Sequence, residues 1–151
     1  MIDRLIVEKV ISALTDRPAV FISGGRQTGK STLALHLSKT SHPADYYTFD
    51  DLAVYSQAKS DPAGFIAGLS ESVILDEIQR VPELIHSIKA AVDKNRTPGK
   101  FLMTGSANIM VLPELSDALV GRMEVIPLET LAIAEILESR GNSIDQLFTS
   151  E

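Results

Sequence analysis

The sequence predicts an α/β fold in which helices cover both faces of a parallel sheet, and two observations lead to it. Short apolar runs, typical of strands buried on both faces, recur along the chain. Amphipathic stretches at helical spacing lie between these runs, and strands that alternate with helices of such length form parallel sheets. Right-handed crossovers between the strands then leave few topologies open.

The apolar runs predict five strands, and the helical spacings predict the segments that connect them. The strands are expected at residues 19–22, 46–49, 73–75, 101–103 and 123–126. The helices are expected at residues 2–14, 30–39, 84–92, 112–120 and 131–137, with one or two short helices over 52–68, broken at Asp61-Pro62. In the helix at 30–39, the side chains of Leu33, Leu35 and Leu37 are available for packing.

Length and composition indicate a single folded domain. The chain has 151 residues, of which 44% are hydrophobic and 23% charged, which argues against disorder. Its net charge of −6 argues against a non-specific nucleic-acid binder. Cysteine is absent, which excludes disulfides and thiolate metal sites. No apolar run approaches the roughly 18–20 residues of a membrane span, so we expect a cytoplasmic protein that does not engage membranes.

A glycine-rich segment predicts a nucleotide site. It matches the pattern G-x-x-x-x-G-K-[ST], with a buried strand before it and a helix after it. Its backbone N–H groups and the following helix N-terminus would cradle phosphates. Lys30 would reach the β- and γ-phosphates, and the Ser31 hydroxyl would bind Mg²⁺. The nucleotide-binding residues predicted here are Gly24, Gly25, Arg26, Gln27, Thr28, Gly29, Lys30, Ser31 and Thr32.

Two carboxylates, Asp76 and Glu77, directly follow the third apolar run. Asp76 is placed to hold Mg²⁺, usually through a water molecule, and Glu77 can accept a hydrogen bond from the attacking water and orient it. A small-molecule kinase commonly lacks such a glutamate, because its acceptor is a hydroxyl group. The Asn-Lys-x-Asp segment with which GTPases read their base is also absent. The sequence therefore favours ATP as the nucleotide and hydrolysis as the reaction.

Polar residues at the end of the fourth predicted strand are candidates for sensing or positioning the attacking water. Thr104, Ser106 and Asn108 follow the apolar run at 101–103. If this strand lies between the first and the third, its end is beside the γ-phosphate. The sequence does not select among the three residues, and a common polar strand exit is the alternative.

Arg122 precedes the fifth predicted strand and is a candidate arginine finger. From this position it could project toward the nucleotide of a neighbouring subunit in a homo-oligomer, where such residues contribute roughly 10³–10⁵ in rate. The alternative is a surface arginine paired with Glu114 or Glu124. Arg26 and Arg80 are weaker candidates for a phosphate or relay role.

Five segments together resemble one family. They are Gly-Arg-Gln-Thr-Gly-Lys-Ser-Thr (25–32), Tyr-Tyr-Thr-Phe-Asp-Asp (46–51), Leu-Asp-Glu-Ile-Gln-Arg-Val-Pro-Glu-Leu (75–84), Phe-Leu-Met-Thr-Gly-Ser-Ala-Asn (101–108) and Leu-Val-Gly-Arg-Met (119–123). They are similar to prokaryotic AAA-type ATPases that carry a nuclease-like C-terminal domain of unknown function. The resemblance implies a three-layer α/β/α P-loop NTPase with a five-stranded parallel sheet in the order 5-1-4-3-2, and ATP hydrolysis. It also implies that Lys30, Glu77, Arg122 and one of the residues 104–108 act in catalysis.

The predicted domain boundaries leave the biological partner open. Residues 1–137 are expected to form the ATP-binding core with its N-terminal helix, and residues 138–151 a linker or the start of a missing C-terminal region. That region would engage an unknown protein or nucleic acid. The sequence thus predicts an ATPase that drives a conformational change in a partner or attached domain. A nucleotide-gated binding module with vestigial hydrolysis is the first alternative, and a small-molecule kinase the second.

Overall fold

A computed structural model describes residues 6–106, 108 and 117–129. Of the helix predicted at 112–120, only residues 117–120 are described, and 117–119 are helical. The helix predicted at 131–137 and the predicted linker at 138–151 lie outside the described residues. Within the described part of the chain, no helix has both the length and the apolar character that crossing a membrane requires.

Helices and strands alternate along the chain as predicted. The strands are β1 (Ala19–Ser23), β2 (Asp45–Thr48), β3 (Val73–Asp76), β4 (Phe101–Gly105) and β5 (Met123–Pro127). The helices are α1 (Val7–Asp16), α2 (Lys30–Lys39), α3 (Leu52–Ser60), α4 (Pro62–Ala67) and α5 (Leu84–Lys94), and a 3₁₀ turn covers Ile78–Arg80. All five predicted strands are confirmed, each within two residues at either end.

The five strands form one sheet, and every pairing between neighbours is parallel. Their order is β2-β3-β4-β1-β5, which confirms the order implied by the family resemblance. Ser23 at the end of β1 pairs with Gly105 of β4 and with Pro127 of β5. The carboxyl ends of these strands therefore meet at one edge of the sheet, where the predicted site residues follow them.

Two hydrophobic clusters lie on opposite faces of the sheet and make the fold a three-layer α/β/α arrangement. Side chains alternate between the faces of a strand. Ala19 and Phe21 of β1 belong to the cluster that packs against α3, α4 and α5, whereas Val20 and Ile22 belong to the cluster with α1 and α2. The central strands β1, β3 and β4 are thus buried on both faces, which explains their apolar runs.

Helix periodicity decides which leucines of α2 pack into the core. Leu33 and Leu37 are four residues apart, lie on one face of the helix and are buried. Leu35 lies two residues from each of them and so faces the other way, with 38% of its surface exposed. Of the three leucines that the sequence made available for packing, Leu33 and Leu37 therefore belong to the core and Leu35 does not.

The predicted break between two short helices is confirmed at Asp61-Pro62. The carboxylate of Asp61 accepts a hydrogen bond from the Gly64 N–H at 2.9 Å and so caps the N-terminus of α4. Pro62 occupies the first turn of α4, where its missing N–H removes no helical hydrogen bond.

Candidate functional site

The glycine-rich segment forms the connection between β1 and α2 at the carboxyl edge of the sheet. Gly29, directly before the first residue of α2, has a φ of 86°, a left-handed conformation that glycine adopts without steric cost. Gln27 also has a positive φ, of 61°. These two left-handed residues turn the chain sharply, so that the loop ends at the N-terminus of α2.

Lys30 follows this loop as the first residue of α2 and is almost entirely buried. The residue is 6% exposed, and its Nζ donates a 2.6 Å hydrogen bond to the carbonyl oxygen of Gly25. The Thr28 hydroxyl donates to the same oxygen at 3.0 Å. A buried ammonium beside a neutral carbonyl favours an anionic partner, and the N-terminus of α2 adds positive partial charge. The loop therefore has the electrostatic character of a phosphate site.

The remaining loop residues differ in exposure. Gly25, Arg26, Gln27 and Thr32 are exposed residues, Gly24, Gly29 and Ser31 are half-buried, and Thr28 is buried. The outer part of the loop is thus open to a ligand from solvent, while Thr28 and Lys30 anchor it from within.

The carboxylate of Asp76 is the centre of the hydrogen-bond network at this edge. It is 2% exposed. Its Oδ1 accepts hydrogen bonds from Ser31 Oγ at 2.8 Å and from Thr104 Oγ1 at 2.5 Å. Its Oδ2 accepts one from the Tyr46 hydroxyl at 2.8 Å. Ser31 and Asp76, the two residues predicted to hold a metal ion, are therefore in direct contact.

The chemistry of this pair fits Mg²⁺. Mg²⁺ prefers oxygen ligands and is usually held by one or two protein groups together with water and substrate phosphates. The Ser31 hydroxyl and the Asp76 carboxylate supply such oxygens beside the phosphate loop. Among the described residues there is no group of three or more His, Asp or Glu side chains that would form an all-protein metal cage. The donor set thus suits an ion that arrives with phosphate.

Glu77 adopts a strained backbone conformation next to Asp76. Its φ and ψ are 61° and 43°, in the left-handed region that costs a non-glycine residue about 1–3 kcal/mol. Its N–H donates to Thr104 Oγ1 at 3.1 Å, and its carboxylate accepts a hydrogen bond from the Gln79 amide. The chain therefore bends away from the strand direction at Glu77, and hydrogen bonds hold the bend.

The three candidates at the end of β4 occupy different environments. Thr104 is fully buried, and its hydroxyl contacts both acidic residues, donating to Asp76 and accepting from the Glu77 N–H. Ser106 contributes its backbone N–H, which donates to Gln79 Oε1 at 3.4 Å. Asn108 is exposed. Of the three, Thr104 is the residue that the structure places against the acidic pair.

Tyr46 belongs to the site although the sequence reasoning gave it no role. Burial raises the pKa of the Tyr46 phenol well above its usual value, and the hydrogen bond to Asp76 raises that pKa further. The phenol therefore stays protonated and donates to the carboxylate. The signal for this role was the position of Tyr46 in β2, because Tyr46 pairs with Ile74 on β3, two residues before Asp76.

Arg122 lies at the opposite edge of the sheet from the phosphate loop. The strand that follows it begins at Met123, which pairs with Ala19 at the start of β1, whereas the loop follows the end of β1. Its Nε and Nη2 donate to the Asp93 carboxylate at 2.6 and 3.1 Å. The hydrogen bond from Arg122 lowers the pKa of Asp93 below its usual value. Arg122 is thus remote from the phosphate loop of its own chain.

This geometry corrects the pairing expected for Arg122. Its carboxylate partner is Asp93, so the expected pair with Glu124 is wrong, and Glu124 lies instead 3.9 Å from Arg17. The other expected partner, Glu114, lies outside the described residues. Arg80, a weaker candidate for a relay, is exposed and donates to Asp50 at 2.7 Å. Arg26, the other weaker candidate, is exposed on the loop.

Comparison with known proteins relates the chain to a protein family and to a fold. A family model described as an AAA domain matches residues 16–137. Uncharacterized proteins of Mycobacterium bovis and Mycobacterium tuberculosis are each 33% identical to it over 133 residues, which is 87% of this chain. The chain spans 30% of the length of each of these relatives.

A solved structure supports the fold independently. The P-loop NTPase domain of a sigma-54 transport activator from E. coli superposes with a TM-score of 0.51. The superposition covers 83% of this chain and 93% of that domain, at 14% sequence identity. The likeness at this identity concerns the fold alone.

Proposed function

The chain belongs to the AAA domain family, and from that premise we propose that it binds ATP together with Mg²⁺ and hydrolyses it to ADP and phosphate. The observation that carries this proposal is the hydrogen bond between Ser31 and Asp76, 45 residues apart in the sequence. It joins the phosphate loop to the acidic end of β3, so the groups that would hold phosphate and metal form one site.

In this proposal, the phosphate loop binds the β- and γ-phosphates. Backbone N–H groups at the N-terminus of α2 and the Lys30 ammonium supply the positive charge. The buried position of Lys30 supports the role, because phosphate would give its ammonium an anionic partner in place of the neutral Gly25 carbonyl. Binding would therefore move the Lys30 hydrogen bond from the loop to the ligand.

Asp76 and Glu77 would have different roles in this site. A metal site here would supply positive charge to neutralise the charge that develops on the phosphate oxygens. Asp76 and Ser31 would hold Mg²⁺, and Glu77 would accept a hydrogen bond from the attacking water and orient it toward the γ-phosphate. Thr104 would fix the two acids relative to each other, since its hydroxyl contacts both.

Hydrolysis in this proposal drives a conformational change in a partner or in an attached domain. The relatives are longer than this chain, which spans 30% of their length. We propose that this change occurs in a region that follows the ATPase core. The family resemblance implies that this region is nuclease-like. In a homo-oligomer, Arg122 would act on the nucleotide of the neighbouring subunit, because it lies far from its own phosphate loop.

The Glu77→Gln variant tests the proposal. It keeps the size of the side chain and removes the carboxylate, so we expect ATP binding within about threefold of wild type and the loss of phosphate release. Glu71→Gln, the same change at an exposed residue away from the site, is the matched control and should behave as wild type. Normal turnover by Glu77→Gln would contradict the role given to Glu77.

The same assay separates the alternatives. Wild-type protein that binds ATP but releases no phosphate at any protein concentration would identify a nucleotide-gated binding module. Transfer of the γ-phosphate to an added acceptor, instead of its release into solution, would identify a kinase. Phosphate release that rises per subunit with protein concentration would support the role of Arg122 in trans.

A further inference from the structure

Gln79 links the Glu77 carboxylate to the end of β4. It lies in the 3₁₀ turn Ile78–Arg80, and its side-chain amide donates through Nε2 to Glu77 Oε2. The carbonyl oxygen of the same amide accepts a hydrogen bond from the backbone N–H of Ser106 at 3.4 Å. One side chain therefore joins the two strand ends that border the proposed γ-phosphate position.

The space beside Gln79 is shaped by a glycine. A Cβ atom at Gly105 would lie 2.6 Å from Gln79 Oε1 and 3.1 Å from the ring of Phe21. Any residue other than glycine at this position would push the Gln79 amide away from Ser106. The absence of a side chain at Gly105 thus leaves room for Gln79 to bridge Glu77 and Ser106 at the end of β4.

Both parts of Glu77 are consequently tied to β4. Its backbone N–H donates to Thr104 Oγ1 at 3.1 Å, and its carboxylate is held through Gln79 by Ser106. The contact between Gln79 and Ser106 spans 27 residues of sequence, so the bridge depends on the tertiary fold and is more than a local turn contact. Movement of the end of β4 would reach the Glu77 carboxylate through this bridge.

We propose that Gln79 is a positioning residue that aims the Glu77 carboxylate at the attacking water. This inference rests on the proposed hydrolysis of ATP. An amide can donate and accept at once, so Gln79 can hold one oxygen of Glu77 while Ser106 holds Gln79. The bond occupies Oε2 of Glu77 and leaves Oε1 to accept from water. Preorganisation of this kind raises turnover without changing nucleotide affinity.

The Gln79→Glu variant tests the bridge with little change in size. It keeps an oxygen that can accept from Ser106 and replaces the donor to Glu77 by a second oxygen. We expect the rate of ATP hydrolysis under single-turnover conditions to fall about 10- to 100-fold. Losses of this size are usual when a residue that hydrogen-bonds and orients a functional side chain is replaced. The affinity for a fluorescent ATP analogue should stay within about threefold. Gln57→Glu, on the exposed side of α3, is the matched control for the added charge.

A double-mutant cycle shows whether Gly105 acts through Gln79. We expect Gly105→Ala to lower turnover, and Gly105→Ala combined with Gln79→Leu to lower it no further than Gln79→Leu alone. Additive losses would overturn the shared mechanism. Circular dichroism melting curves of each variant identify any that fail to fold, and Gln79→Leu then replaces Gln79→Glu as the test of the bridge.

The outcomes separate this inference from the proposed function. If Gln79→Glu and Gln79→Leu hydrolyse ATP as fast as wild type while Glu77→Gln does not, the positioning role is wrong and the proposed function stands. If wild-type protein binds no ATP, the proposed function itself is wrong. A fall in turnover at unchanged nucleotide affinity supports both.

Discussion

The Tyr46 hydroxyl donates to Oδ2 of Asp76 at 2.8 Å, on the side of the carboxylate opposite the oxygen that Ser31 and Thr104 share. The carboxylate is thereby held from both sides by hydroxyl groups of three different elements. Since residues that orient a metal ligand affect metal affinity, Tyr46 has a predictable effect on the response to Mg²⁺.

We predict that Tyr46→Phe raises the Mg²⁺ concentration needed for half-maximal ATP hydrolysis by about tenfold, because Asp76 loses one orienting bond. The measurement is phosphate release over a magnesium titration at saturating ATP. Tyr47→Phe is the matched control. The Tyr47 ring packs edge-on against Phe65, and that contact survives loss of the hydroxyl. An unchanged magnesium response in Tyr46→Phe would count against the orienting role.

Thr104→Val should lower stability as well as turnover. The substitution keeps the shape of the side chain but leaves the Glu77 N–H without its acceptor and Asp76 without one donor. An unsatisfied buried polar group costs about 1–3 kcal/mol. Urea denaturation measures the loss of unfolding free energy. Thr104→Ser, which keeps the hydroxyl, should retain most of the turnover; equal losses in both variants would assign the effect to packing.

Mutation can distinguish a catalytic role of Arg122 from a structural role of its ion pair with Asp93. If Arg122 acts on a neighbouring subunit, Arg122→Ala should lower turnover about 10³-fold or more. Asp93→Ala breaks the same ion pair but leaves the arginine available, so it should retain turnover. The measurement is phosphate release per subunit across a range of protein concentrations. Equal losses in the two variants would indicate that the pair serves only the local structure.

His42 gives the fold a specific pH dependence. Its Nε2 is buried and has no hydrogen-bond partner within the described part of the chain. Burial lowers the pKa of His42 below its usual value, and a backbone hydrogen bond with Gly99 partly opposes this. Because the unfolded chain then binds a proton more readily than the folded one, the free energy of unfolding should fall as pH drops below about 6.5.

Melting temperatures at pH 7.5 and 5.5 measure the contribution of His42. The difference between the two pH values should be smaller in His42→Gln than in wild type. His86→Gln, at an exposed position on α5, is the matched control and should keep the wild-type difference. A full wild-type difference in His42→Gln would show that other groups cause the pH dependence.

The strands and the phosphate loop could be predicted from sequence because their signals are local. Because β1 and β3 are buried along their whole length, their sequences are apolar runs. The pattern of the glycine-rich loop lies within residues 24–31. The order of the strands is not local, and it came from the family resemblance.

The partners of Asp76 and Glu77 depend on tertiary structure, which sequence spacing does not contain. Tyr46 reaches Asp76 only because β2 lies beside β3 in a register that pairs Thr48 with Asp76. Gln79 reaches Ser106 only because β4 ends at a glycine. The same reasoning explains the missed partner of Arg122, since Asp93 is near it in space and 29 residues away in sequence.

Isothermal titration calorimetry with ATP and Mg²⁺ measures whether the glycine-rich loop binds nucleotide. We predict binding of one nucleotide per chain to wild-type protein, and no detectable binding to Lys30→Ala, which removes the buried ammonium from the phosphate loop. Lys39→Ala, the same change at the exposed end of the same helix, should bind as wild type. Absence of ATP binding to folded wild-type protein, or equal binding to Lys30→Ala, would show that the glycine-rich loop and Lys30 do not form a nucleotide site.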